Sequence, residues 1–193
     1  MCAAAGRLWT PESPWASAES VLEMCAAVSG EAVEEDFAAL QGQAAQTKGQ
    51  QLFLEHGLRG IRGELADGLP AVRTIGMPAL EEALKAGASL EDAGAAALVR
   101  LIAGVTDTNL IARGGLEGQR WAAQAAAGLK GPVPDREALE RLDREFIGRN
   151  LSPGGCADLL AITFFLHFCE IKLHAHPPHH EHEQIPGASR AAG

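Results

Sequence analysis

Apolar positions recur at helical spacing along most of the chain, and no stretch alternates with period two for long enough to make a strand. Ser13-Pro14 reads as an N-cap followed by proline at the first helical position, opening a helix towards Val28. An acidic helix follows over about Glu31 to Leu40, and another from Thr47 to His56 stops at Gly57. Pro78 to Lys85 restarts a helix, and Ser89-Leu-Glu-Asp92 resembles a capping box ahead of an apolar run to Ile102. Further helices are predicted from Leu116 to Ala127 and from Asp135 to Ile147. In the latter, Leu139, Leu142, Phe146 and Ile147 share a face opposite Arg and Glu. Ser152-Pro153 then opens an apolar helix containing Asp158 and Phe164. The pattern predicts an all-α protein, a single helical domain over residues 1–173.

Composition supports helices over sheets. Apolar residues make up 47% of the 193 positions, aromatics only 5%, and Ala and Leu fill the core-type positions. A net charge of -9 argues against nucleic acid as a partner, because that needs Lys and Arg to displace phosphate counterions. It leaves room for a nucleotide, for which a few placed arginines suffice. Cys2, Cys25, Cys156 and Cys169 form no C-x-x-C pair or zinc-type spacing and read as reduced thiols. The start lacks the long apolar core of a signal peptide, and the run from Leu159 to Phe168 is far short of the ~20 residues of a membrane span. A cytoplasmic protein without a membrane partner is expected. Residues 174–193 begin with His-Ala-His-Pro-Pro-His-His-Glu-His-Glu and end in Gly, Ala and Ser. They read as a disordered His-rich tail, with metal binding by the imidazoles as the sharper alternative.

Between Gly57 and Gly76 the texture changes. Glycines punctuate Arg59, Arg62, Glu64, Asp67 and Arg73, a density that suggests backbone bending closely around something, with a long connecting loop as the plainer reading. Asp107-Thr-Asn-Leu-Ile-Ala-Arg-Gly-Gly115 combines a carboxylate, an amide, a guanidinium and two glycines. If the chain turns there between helices, Gly114 and Gly115 offer backbone N–H groups at a helix N-terminus, a ready anion site. Asn109 and Arg113, four apart, would share a helix face. Asn150-Leu-Ser-Pro-Gly-Gly-Cys-Ala-Asp158 has the same logic: glycines in the first turn of a proline-initiated helix, with a carboxylate among apolar neighbours. Taken singly, each segment is equally well an ordinary turn or a satisfied core group.

Together these segments, with Arg62-Gly-Glu64 and Leu69-Pro-Ala-Val-Arg73, resemble in order the later motifs of the triphosphoribosyl-dephospho-coenzyme A synthase family, from about Cys2 to Phe165. The resemblance implies a transferase that moves the triphosphoribosyl unit of ATP to the 2′-hydroxyl of 3′-dephospho-coenzyme A and releases adenine. The product is the prosthetic-group precursor for the acyl-carrier subunit of malonate decarboxylase or citrate lyase. The Arg62-to-Gly68 stretch and the Leu-Ser-Pro-Gly-Gly block look closer to the malonate branch.

That reaction passes through an oxocarbenium-like state, where a carboxylate helps, and needs proton transfer at hydroxyl and leaving base. The resemblance implies Arg62 and Arg113 as phosphate clamps, with Gly114, Gly115, Ser152, Gly154 and Gly155 around the nucleotide. Asp107 and Asp158 would hold Mg²⁺ or act on the hydroxyl, Glu64 is the other acid/base candidate, and Asn109 orients one of them. Roles among the three carboxylates stay open. Two departures stand out. Cys156 occupies a position where the family usually has Ser, and the family's earlier Lys-Pro-Gly and Thr-Asn-Thr-His-Lys-Gly motifs have no counterpart here. The expectation is a fold lacking an N-terminal portion, prone to self-association or to pairing with that portion. Two other readings are kept: a non-catalytic scaffold of the same fold, and a magnesium-dependent hydrolase of ribosyl bonds.

Overall fold

The computed structural model describes residues 5, 6, 8 and 17–175, with side chains to residue 170. Among the described residues every regular element is helical, as the apolar spacing predicts. The helix start expected at Ser13-Pro14 and most of the His-rich tail lie outside the described residues.

Helix α1 (Ala18–Ala39) is capped by Ser17, whose hydroxyl accepts the N–H of Ser20 at 3.1 Å. It runs unbroken through Ser29-Gly30, where two separate helices were expected. The reason is packing. A Cβ on Gly30 would lie 3.4 Å from the Ala66 carbonyl, so the missing side chain lets a neighbouring helix approach, and the resulting burial outweighs glycine's poor propensity. Helix α2 (Lys48–His56) has the Thr47/Gln50 capping box and a left-handed Gly57 at its end.

The glycine-rich stretch is not a long connecting loop, the plainer of its two readings. It folds into α3 (Gly60–Ala66), a tight turn in which Gly68 and Leu69 both take positive φ, and a π-helical segment Val72–Gly76 that runs directly into α4 (Met77–Lys85). Leu69 holds its left-handed backbone while fully buried, and its N–H bonds the Glu64 carbonyl at 2.6 Å. The glycines here serve close helix packing as much as bending.

Helix α5 (Leu90–Gly104) starts at Ser89 and supplies Val99, Leu101 and Ile102 to the main core. Helix α6 (Thr108–Gly128) is broken at Gly115, whose φ of 65° and ψ of -172° interrupt the spiral. The expected helix from Leu116 is its second half. Helix α7 (Arg136–Gly148) buries Leu142 and Phe146, but Ile147, assigned to that face, is 70% exposed. One residue on from Phe146 is a rotation of about 100°, enough to leave the contact. Helix α8 (Gly154–Ala175) ends two residues beyond the expected domain edge and contributes Leu159 and Leu166 to the core shared with α1, α5 and α6. No single described helix is long and apolar enough to cross a membrane. Helices α5 and α6 reach that length and composition only together, across a 56° bend.

Candidate active site

Three stretches distant in sequence meet around one cavity of about 440 Å³. Helix α3 and its flanks supply Arg59, Glu64 and Asp67, the α5–α6 connection supplies Thr106 to Asn109, and the start of α8 supplies Gly155 and Leu159. Thr74 and Ile75 of the π-helical segment complete one wall. A π turn widens the helix locally and is often found at functional sites.

Asp107 joins two of these stretches. It is the N-cap of α6, and its Oδ1 accepts the N–H of Asn109 at 2.7 Å. Its Oδ2 accepts the N–H of Cys156 in the first turn of α8 at 2.9 Å. One buried carboxylate therefore faces two positive helix ends, which stabilise its charge. Gln119, from beyond the Gly115 break, holds the turn from behind: its Oε1 accepts the Asp107 N–H at 3.0 Å and its Nε2 donates to the Val105 carbonyl at 2.9 Å. The α8 start must come close for this. A Cβ on Gly155 would lie 3.1 Å from Asp107 Oδ1, and one on Gly154 2.7 Å from Asn109 Nδ2. Cys156 is fully buried, and burial together with the Asp107 charge pushes its thiol pKa well up. It is an unreactive core group.

Glu64 is half-buried in the cavity wall, its Oε2 accepting the Ala71 N–H at 2.9 Å. Burial raises its pKa above the ordinary 4.5, the Ala71 bond pulls the other way, and the charge of Asp67 adds to the rise. A carboxyl that keeps its proton more readily suits acid/base work.

Glu64, Asp107, Asn109 and Gly155 thus line the cavity together, while the other expected site residues do not line it. Arg62 is exposed, ion-paired to Asp36 and 5.1 Å from the Phe37 ring centroid. Arg113 is exposed, with Nη1 donating to Asn150 Oδ1 at 3.4 Å. Gly114 packs against Leu151, Gly115 forms the helix break, and Ser152 and Gly154 are half-buried beside the cavity's α8 wall without lining it. Asp158 is exposed and off the face that Gly155 and Leu159 present. Asp107 and Asp158 do not share the cavity, and no group of three or more His, Cys, Asp or Glu able to hold a metal occurs among the described residues. A resident magnesium on that pair does not fit.

Arg59, Asp67, Thr74 and Gln119 were not singled out by sequence as site residues. Arg59 and Arg62 are three apart in one glycine-rich run, and choosing between them needs the helical phase of α3. Gln119 sits in an ordinary amphipathic pattern and gives no signal.

The chain matches the family described as CitG: ATP:dephospho-CoA triphosphoribosyl transferase over residues 1–176. A 2-(5''-triphosphoribosyl)-3'-dephosphocoenzyme-A synthase of Pectobacterium atrosepticum is 40% identical over 167 residues, 86% of this chain and 54% of the relative. A probable synthase of the same name from Photobacterium profundum is 48% identical over 126 residues, 63% of this chain and 40% of the relative. One from Malonomonas rubra is 42% identical over 129 residues, 64% and 41% of the two chains. The chain spans about half the length of the curated relatives it matches. No solved structure matches it. With the match reaching across all three stretches that build the cavity, the chain belongs to the ATP:dephospho-CoA triphosphoribosyl transferase family.

Proposed function

We propose that this cavity is part of the site at which the triphosphoribosyl group of ATP passes to the 2′-hydroxyl of 3′-dephospho-coenzyme A, with release of adenine. The observation that carries the reading is the meeting of Glu64, Asp107 with Asn109, and Gly155 in one cavity, from stretches far apart in sequence.

The balance of the reaction suits them. The bond from ribose C1′ to adenine breaks, the bond from C1′ to the acceptor oxygen forms, and the hydroxyl proton ends on adenine. Glu64, with its raised pKa, gives a proton to the leaving base and takes one from the hydroxyl in this reading. The Asp107 carboxylate lines the same cavity and stabilises positive charge growing on the ribose ring. Asn109 and the N–H of Gly155 orient the ribose and its nearest phosphate. Magnesium is assigned to the incoming triphosphate as part of the substrate, and no step is routed through it.

The test is chromatographic detection of adenine from ATP, with and without 3′-dephospho-coenzyme A, in wild type and Glu64→Gln. The proposal expects release that depends on the acceptor and is lost in the variant. Release into water alone points to a ribosyl hydrolase, and nucleotide binding with no release points to a scaffold. The assay is run on the chain alone and mixed with a polypeptide carrying the remainder of the relatives' length, because self-association or such pairing belongs to the proposal. The malonate branch is the finer assignment, supported by the Arg62-to-Gly68 and Leu151-to-Gly155 sequences. Transfer of the product to a malonate decarboxylase acyl carrier in preference to a citrate lyase one tests it.

A further inference from the structure

The geometry points to Arg59, in place of Arg62 or Arg113, as the guanidinium that meets the polyphosphate of the substrate nucleotide. The assignment rests on the reading that this cavity takes ATP.

Arg59 is the one cation among the described residues that line the cavity, whose other charged members are Glu64, Asp67 and Asp107. A polyphosphate placed among three carboxylates needs a fixed positive partner, and a planar guanidinium fork matches phosphate oxygens. The Arg59 side chain is positioned before any ligand arrives. Its guanidinium carbon lies 5.4 Å from the Phe37 ring centroid, and its stem runs over Gly63, where a Cβ would collide with it.

Two carboxylates hold the fork. Nη2 pairs with Glu34, and Nη1 donates to both Asp67 oxygens at 3.1 and 3.2 Å. Those partners are 60% and 53% exposed, so water screens both pairs and they are easily exchanged. The Nε atom is buried with no hydrogen-bond partner, which is uncommon for a guanidinium donor. Arg59 thus presents loosely held Nη donors at the wall of a cavity. A phosphate oxygen displacing Asp67 would form the stronger, doubly charged contact.

Titration calorimetry of the full chain with inorganic tripolyphosphate, and separately with ATP, tests the assignment, alongside thermal melts of each variant. Arg59→Gln should weaken tripolyphosphate binding by about tenfold or more, the loss of one charge-assisted fork. Arg62→Gln should change it by less than about twofold, as expected for an exposed pair away from the ligand. Asp67→Asn separates binding from folding. It removes a competing carboxylate, so affinity should rise about threefold while stability falls slightly.

Wild-type chain that binds neither probe overturns the assignment, and so does an Arg62→Gln loss with Arg59→Gln unchanged. If Arg59→Gln does not fold, Asp67→Asn decides alone, and a fall in affinity there sinks the idea. The two readings also fail separately. Arg59-dependent tripolyphosphate binding without adenine release leaves the Arg59 assignment standing and removes the transferase reading. Adenine release with tripolyphosphate affinity untouched by Arg59→Gln does the reverse.

Discussion

The Oδ2 oxygen of Asp107 accepts the backbone N–H of Cys156 at 2.9 Å, across 49 positions of sequence. With Oδ1 on the N–H of Asn109, the carboxylate closes the first turns of two helices at once. Replacing Asp107 by Asn keeps the shape but turns one acceptor into a donor that faces an N–H. One buried N–H is then left unbonded at a cost of about 1–3 kcal/mol. Urea denaturation should show that loss with an unchanged m-value. Stability equal to wild type would mean that the bridge contributes nothing to the fold.

Gln119 supports the same turn through its side-chain amide. Gln119→Leu removes an acceptor from the buried Asp107 N–H and a donor from the half-buried Val105 carbonyl. The expected destabilisation is about 2 kcal/mol, larger than for an exposed glutamine, whose substitution stays within about 0.5 kcal/mol. Gln124, on the same helix and not buried, is a suitable control.

The pKa of Glu64 gives a pH dependence with a definite sign. Its folded-state pKa is raised, so between the ordinary 4.5 and the raised value the folded chain holds more protons than the unfolded one. Stability therefore falls as pH rises through that window. Glu64→Gln cannot ionise, and its Oε1 still accepts the Ala71 N–H. The melting temperature of the variant relative to wild type should accordingly climb with pH above 4.5 and level off once Glu64 is fully charged. A difference independent of pH would contradict the raised pKa.

The sequence made the helices legible because their ends are written locally. Thr47 with Gln50, Ser89 and Asp135 are side chains that bond a nearby N–H; Ser89 caps as read, and Thr47 and Asp135, read as first helical residues, cap helices that start one residue later. Tertiary choices were less visible. Ser29-Gly30 reads as a break, yet the close approach of Ala66 keeps α1 continuous. The π turn at Val72–Gly76 has no local signature, because it answers to packing against α8: a Cβ on Gly76 would collide with Thr163. Of the residues that line the cavity, motif membership singled out Glu64, Asp107, Asn109 and Gly155. It could not separate the arginines, since which face of α3 looks inward depends on α1 and Phe37 rather than on the motif itself.

Cys156 tests burial at the site without any assay of activity. The thiol is fully buried, and its thiolate is disfavoured by burial and by the Asp107 charge. Alkylation of the folded chain followed by peptide mass mapping should leave Cys156 unmodified and label it only on unfolding. Cys156→Ser puts a stronger donor beside the Asp107 carboxylate, which the thiol already faces, and should fold. Rapid labelling of native Cys156 would show that the start of α8 opens.

Gly154 and Gly155 are neighbours in the first turn of α8 and separate two reasons for a glycine. Neither has positive φ, and alanine is the better helix former, so backbone conformation does not require glycine at either position. Space does, unequally. At Gly154 the obstacle is Asn109 Nδ2 at 2.7 Å, the far end of an exposed side chain that can swing away. At Gly155 it is the Asp107 carboxylate, at 3.1 to 3.3 Å, pinned by two N–H bonds and buried. Gly155→Ala must move Asp107 or tilt α8, and the expected cost is about 1–3 kcal/mol, as for overpacking elsewhere. Gly154→Ala should change stability by less than about 1 kcal/mol, since helix propensity offsets the displaced Asn109. Paired denaturation curves decide: equal stabilities of the two variants would mean that Asp107 is not the fixed point around which the two helices are assembled.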